Sequence, residues 1–191
     1  MIDLLVIGLN AWIIQDGNYT NFASGSKATF ALEFYASAEL NEVEPKSSTQ
    51  PLLVNIEAAH YEALGRVVYV AEDWWAIDVG TVVLFREEKP PVNLRLGNWV
   101  SGEIYVGIDP FSYFETLAYR PNAPALIHDW RIDKIEMQTA PFIKRGRTIT
   151  RDTAQLGWKE IAQTNAWADD DGNAEYVLHC RRVSSTGRRT L

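Results

Sequence analysis

Four short runs of strand character fall between residues 65 and 107, and a chain that reverses so often within so short a span has few architectures open to it. Residues 67–70, 74–80, 82–85 and 99–107 are rich in β-branched and aromatic side chains and are separated by clusters of Gly, Pro, Asn and Asp. Gly80, Gly97, Gly102 and Gly107 fall where a sharply coiled strand needs bends or points of close approach. The pattern predicts an all-β, mainly antiparallel protein, either one elaborated barrel or two barrel-like units packed together.

The flanking segments extend this expectation. Residues 2–14 and 27–38 read as a first pair of strands around Gln15-Asp16-Gly17-Asn18, which is turn chemistry. In the second of these, Ala28, Phe30, Leu32 and Phe34 alternate with Thr29, Ala31, Glu33 and Tyr35, the period of a half-buried strand. Residues 41–50 have little to bury and contain Pro45, which predicts a surface loop. One short helix is expected near residues 110–118, with Asp109 as N-cap and Pro110 at the first helical position. Residues 126–137 read as a strand with a bulge before Ile135, where the apolar parity changes, and residues 144–147 as an exposed turn. A C-terminal hairpin is expected, in which Asp169-Asp170-Asp171-Gly172-Asn173 joins residues 158–167 to 174–181 and Cys180 points inward. Residues 184–191 are polar and basic, the signature of a flexible tail. The organisation expected is N-terminal strands at 1–40, a barrel-like unit at 51–143 and the hairpin at 144–183, forming one compact body or two small subdomains.

Charge narrows the partners. The chain holds 18 Lys and Arg against 25 Asp and Glu, a formal charge of -7. Residues 1–143 carry 9 basic and 19 acidic side chains, a balance of -10, and residues 144–191 carry 9 and 6, a balance of +3. Such a field opposes phosphate backbones and anionic bilayers and attracts basic proteins. The single cysteine excludes an intramolecular disulfide and points to a reducing compartment. The opening residues lack the basic region of a secretory leader, and no stretch has the roughly 18 to 20 apolar residues of a membrane-spanning helix. The expectation is therefore a cytoplasmic protein without membrane association.

The strand opening Gly65-Arg66-Val67-Val68, the return through Ile77-Asp78-Val79-Gly80 and the run from Leu96-Gly97-Asn98-Trp99 to Ile104 together resemble an OB-fold type β-barrel over residues 65–108. The resemblance implies a barrel with a strand face for oligonucleotides or oligosaccharides. Here Glu72, Asp73 and Asp78 surround the aromatic pair and Arg66 is the nearest base, so the resemblance bears on shape more than on ligand.

Catalytic and metal motifs are weak throughout. His60, His128 and His179 are not spaced as metal ligands, and neighbours such as His128 and Asp129 point to opposite faces of a strand. The acidic stretch at 169–173 lacks the alternate ligand positions of a calcium loop, and no glycine-rich phosphate loop occurs. No cofactor and no metal is expected. The segment Glu72, Asp73, Trp74, Trp75 and Asp78 is the candidate partner-binding site, because aromatic anchors flanked by carboxylates suit a basic protein. The expected function is that of a non-enzymatic interaction protein, a toxin-neutralising immunity protein being one such role. The alternatives are a carboxylate-dependent enzyme or small-molecule binder built in a β cleft, and an OB-type oligonucleotide binder.

Overall fold

The computed structural model describes residues 4–183 and 186–190. Along the chain lie β1 (Leu4–Asn10), α1 (Ala11–Gln15), β2 (Lys27–Phe30), β3 (Leu32–Tyr35), β4 (Asn41–Val43), β5 (Leu52–Glu57), β6 (His60–Val70), β7 (Trp75–Asp78), β8 (Val83–Arg86) and β9 (Trp99–Ile108). There follow α2 (Ser112–Glu115), β10 (His128–Gln138), β11 (Phe142–Arg145), β12 (Thr148–Arg151), β13 (Trp158–Ile161) and β14 (Glu175–Arg182).

Five of these strands close on themselves. β9 pairs with both β3 and β6, β7 links β6 to β8, and β8 returns to β3 in the one parallel step of the ring. Closure removes the free edges that a five-stranded sheet would otherwise expose. The result is a closed mixed barrel with additional strands, consistent with an OB-like barrel. β4 adds to β9, and β5 continues the sheet beyond β6. At the other side Gly8 of β1 pairs in parallel with Gly107 of β9, and the sheet runs on through β14, β10 and β13, with β2 also on β10. Tyr61 ties the barrel to β1, its hydroxyl accepting the Val6 N–H at 2.7 Å and donating to the Val6 carbonyl at 3.0 Å.

The apolar interior has two parts. The larger fills the barrel and continues under β1, β10 and β14, where Phe30 stacks on Trp130 at 5.5 Å and the Trp130 indole N–H donates to the Phe30 carbonyl. The smaller lies outside the wall formed by β7 and β8, where Trp74, Ala76 and Phe85 meet Tyr113, Phe114 and Leu117 from α2 and the turn after it. A β7 strand covered on both sides explains its continuous apolar run.

Several expectations are corrected. The strand expected over 2–14 ends at Asn10, because Ala11, Ile13 and Ile14 bury together while Trp12 is exposed, a spacing that a helical turn satisfies and a strand does not; Ile2 lies outside the described residues. Its partners are β14 and β9 rather than the 27–38 segment. That segment divides at Ala31, whose carbonyl accepts the Asp109 N–H, so β2 serves the outer sheet and β3 the barrel. Within the 41–50 loop, residues 41–43 form β4 on β9. The helix begins at Ser112, with Phe111 rather than Asp109 at its N-cap and Pro110 ahead of the helix, and covers a single turn followed by a 3-10 turn at Leu117–Tyr119. The C-terminal hairpin does not form as expected: β10 lies between β13 and β14. The acidic turn cannot close a tight hairpin because it is spent on a 3-10 turn docked on α1, where the Gln15 amide donates to the carbonyls of Ala166 and Gly172. Residues 188–189 of the tail are held in place. Arg188 pairs with Ile127 through the backbone and forks onto Asp129, and the Arg189 guanidinium donates to the carbonyls of Ala118 and Arg120. Residues 184, 185 and 191 lie outside the described residues. The bulge in β10 falls between Ile132 and Lys134, and Cys180 is fully buried, both as the sequence predicts.

Candidate functional site

The barrel strands β6, β9 and β3, extended by β5, present one continuous outer face. Along β6, Tyr61, Ala63 and Val67 point into the core, so His60, Glu62 and Leu64 point outward. Register then fixes what stands beside them. His60 lies opposite Tyr105, Glu62 opposite Glu103 and Leu64 opposite Ser101 on β9. On the other flank Val54 faces Glu62 and Leu52 faces Leu64, and Tyr35 of β3 completes the row begun by His60 and Tyr105. β5 is the outermost strand, and Leu52, Val54 and Ile56 on it are all about half exposed.

Electrostatics on this face are uncompensated. Directly opposed residues on neighbouring antiparallel strands hold their Cβ atoms about 5 Å apart, and like charges so placed repel. Among the described residues neither Glu62 nor Glu103 pairs with Lys or Arg; His60 Nδ1 lies 3.4 Å from Glu103. The ring of His60 meets Tyr105 edge to face at 5.2 Å, and Tyr105 and Tyr35 stand 6.3 Å apart. The arrangement is an acidic pair between exposed aliphatic side chains and aromatic rings.

The residues singled out in the sequence are separated by the fold. Trp74 and Trp75 point to opposite faces, as the strand period requires, and each face has its own cover. Trp75 enters the barrel edge-on to Phe34, and Trp74 lies in the smaller core against Tyr69, Phe85 and Tyr113. Both indoles are buried, at 3% and 0% exposure, so neither is available as a surface anchor. Glu72 and Asp73 are exposed and line an open depression with Lys89 and Arg120. Arg120 donates to Asp73 at 2.9 Å, which neutralises part of that charge. Asp78 accepts the Gly80 N–H at 2.8 Å and shapes the β7–β8 turn, where Gly80 sits at φ +87°. Glu62 and Glu103 were missed because their proximity is a matter of register between strands some forty residues apart, which no local pattern records.

Two other carboxyls are buried. Glu33 accepts the Tyr35 hydroxyl at 2.6 Å and the Glu87 N–H, and burial pushes its ionisation upward against these bonds. Asp109 is fully buried, accepts the N–H of Tyr113 in α2 at 3.1 Å, and is pushed up to about 8 by burial, with the charge of Glu33 adding to the effect. Their oxygens are occupied by the chain's own donors rather than presented to a substrate. Burial likewise raises the Cys180 thiol, the opposite of what a nucleophile needs. Among the described residues no group of three or more His, Cys, Asp and Glu is placed to hold a metal ion, and no helix is long and apolar enough to cross a membrane.

No protein-family model, no curated protein and no solved structure matches this chain. The functional reading therefore rests on the barrel and the chemistry of its outer face.

Proposed function

We propose that this chain is a non-enzymatic interaction protein that binds a basic protein partner, and that the contact surface is the acidic, aromatic-bearing outer face of the barrel. The observation that carries the reading is the Glu62 and Glu103 pair, two exposed carboxylates held side by side by strand register without a Lys or Arg partner among the described residues. Such a pair contributes nothing to folding, and a Lys or Arg from a partner would relieve its repulsion. Flanking Leu52, Val54, Tyr35 and Tyr105 supply the apolar and aromatic area from which interface affinity is drawn. Neutralisation of a toxin by an immunity protein is one role with this chemistry. Glu72 and Asp73 belong to the reading as a second acidic patch, facing the loop that carries Lys89.

The test is affinity capture from the native cell with identification of the captured protein, followed by titration of the two purified proteins. A basic partner whose affinity falls with added salt and is lost in Glu62→Gln/Glu103→Gln supports the assignment. Loss instead in Glu72→Gln/Asp73→Asn moves the contact to the 72–78 segment, and binding untouched by either double variant removes the acidic-face reading. Oligonucleotide binding through the same wall is disfavoured by these carboxylates. Saturable binding of single-stranded DNA at low salt would reinstate it.

A further inference from the structure

We propose that β5 pairs antiparallel with the β5 strand of a second copy of this chain, so that the protein is a twofold dimer joined edge to edge. β5 stands at one end of the strand order and is bonded to β6 alone. Among the described residues no backbone bond reaches its other edge. Open edges are templates for pairing, and proteins blunt them with short strands and charged side chains, Lys above all. The other edge strands of this sheet follow that rule. β4 has three residues and includes Glu42, β2 has four and opens on an exposed Lys27, and β13 has four with Lys159 and Glu160 exposed. β5 is the exception, with six residues, no Lys or Arg, and half-exposed Leu52, Val54 and Ile56. Its only charge, Glu57, and its one bulge, between Asn55 and Glu57, lie at the far end.

The pattern of the strand selects its partner. Opposed residues of an antiparallel pair point to the same face, so outward positions must meet outward positions across the junction. Leu52, Val54 and Ile56 are spaced evenly about Val54. In the register centred there, Val54 meets its own counterpart and Leu52 meets the counterpart of Ile56, so every exposed aliphatic side chain of the strand gains an aliphatic neighbour. On the other face Leu53 meets the counterpart of Asn55, whose amide is already bonded to the Ala58 and His60 carbonyls. Glu57 falls opposite Pro51, and no charge is set against another. Such a contact is isologous and closes, because neither copy keeps a free β5 edge. Acidic repulsion does not oppose it. Glu62 stands beside Val54 on β6, so the two copies of Glu62 lie three strand spacings apart, about 14 Å, beyond the Debye length of about 8 Å at physiological salt. Six residues a side is fewer than the roughly 20 to 30 of a standard interface, so the dimer is weak and forms reversibly with concentration. This inference does not rest on the basic-partner reading.

Sedimentation equilibrium of the full chain, from low micromolar to near-millimolar concentration, is expected to show a mass rising from one copy toward two. Val54→Glu sets two carboxylates against each other across the twofold, with Glu62 beside each, and is expected to weaken the dimer at least about tenfold while keeping the circular dichroism of the native chain. Glu62→Gln/Glu103→Gln is expected to dimerise as the native chain does, which separates this pairing from the acidic-face reading. Crosslinking with diamide as oxidant then reads the register, and needs no folded Val54→Glu. Val54→Cys is expected to link rapidly, because position 54 faces its own counterpart with Cβ atoms about 5 Å apart. Leu52→Cys alone should link slowly, its counterpart lying four residues along the strand, about 14 Å away, whereas Leu52→Cys mixed with Ile56→Cys should link rapidly. Cys180 is fully buried and stays out of the reaction. A native chain that sediments as one copy throughout, a folded Val54→Glu that dimerises as the native chain does, or Val54→Cys and Leu52→Cys that link at equal rates, would overturn the pairing.

Discussion

On the outer sheet Asp133 lies between Arg131 at 3.4 Å and Arg181 at 2.9 Å, Glu136 takes both Lys134 at 2.8 Å and His179 at 2.7 Å, and Asp129 accepts two bonds from Arg188. On the barrel face, Glu62 and Glu103 oppose one another with His60 as their neighbour. Like charges are opposed in register here too, Arg131 to Arg181 and Glu136 to Glu160, but each such pair shares a residue of opposite sign, Asp133 for the arginines and Lys134 for the glutamates. On the barrel wall the opposed Glu62 and Glu103 share no Lys or Arg among the described residues, although the strands there are paired in the same way. The difference separates charge paired within the fold from charge without a Lys or Arg partner, and it motivates the proposal that recognition falls on the barrel.

The contrast can be sharpened with pH, where the largest effect is expected. Asp109 has an ordinary value of 3.8 and stands at about 8 in the folded protein, so its proton is retained on folding. Its contribution to stability is whole below about pH 4 and is lost as pH rises through about 8, by on the order of 5 kcal/mol. Urea unfolding at about pH 5 and about pH 8 should show this decline in the native chain and not in Asp109→Asn. The outer sheet has the opposite sign. Asp129 is held below the usual carboxylate range by Arg188 and Thr29, and burial lowers His128 to about 4. Both contributions are present at neutral pH and are lost on acidification, His128 between about pH 6.5 and about pH 4 and Asp129 below the ordinary carboxylate range. Acid therefore loosens the β10–β14 sheet while alkali loosens the turn at α2.

Substitutions extend the comparison on a descending scale. Trp74→Ala and Trp75→Ala should each cost about 3–5 kcal/mol, measured by chemical denaturation, because each empties a packed interior; a small loss of stability with a large loss of partner binding would mean that the indole works at the surface. Asp129→Ala should cost about 1–2 kcal/mol, since it removes a forked arginine pair and the Thr29 hydroxyl bond from a partly exposed site. Glu62→Lys should do the reverse, raising stability by about 0.2–1 kcal/mol through a new pair with Glu103 while abolishing capture of a basic partner. A variant that is more stable and less active is what the two-face distinction demands. A Glu62→Lys chain less stable than the native one would erase it.

Much of the strand inventory was legible in the sequence because it depends on local chemistry. The runs from residue 67 to 107 became β6 to β9, and the change of apolar parity near Ile135 marked the real bulge in β10. Helix and strand were confused only where the apolar run was too short to distinguish periods, at Ala11 to Ile14. Pairing was harder. The acidic turn at 169–173 looked like a hairpin, yet whether two strands meet or admit a third between them depends on the loop's docking against α1, a contact with residues more than 150 positions away.

The candidate site divides in the same way. Composition and spacing determined that this would be an acidic β protein, with Trp74 and Trp75 on opposite sides of one strand and Cys180 inside, since alternation and charge are properties of the chain itself. Tertiary structure decided that α2 would cover Trp74, that Glu62 would face Glu103, and that Trp12, Tyr35 and Tyr105 would line one cavity. Those are distances between residues remote in sequence, set by barrel closure and strand register, and a side chain's neighbours exist only once the ring has closed.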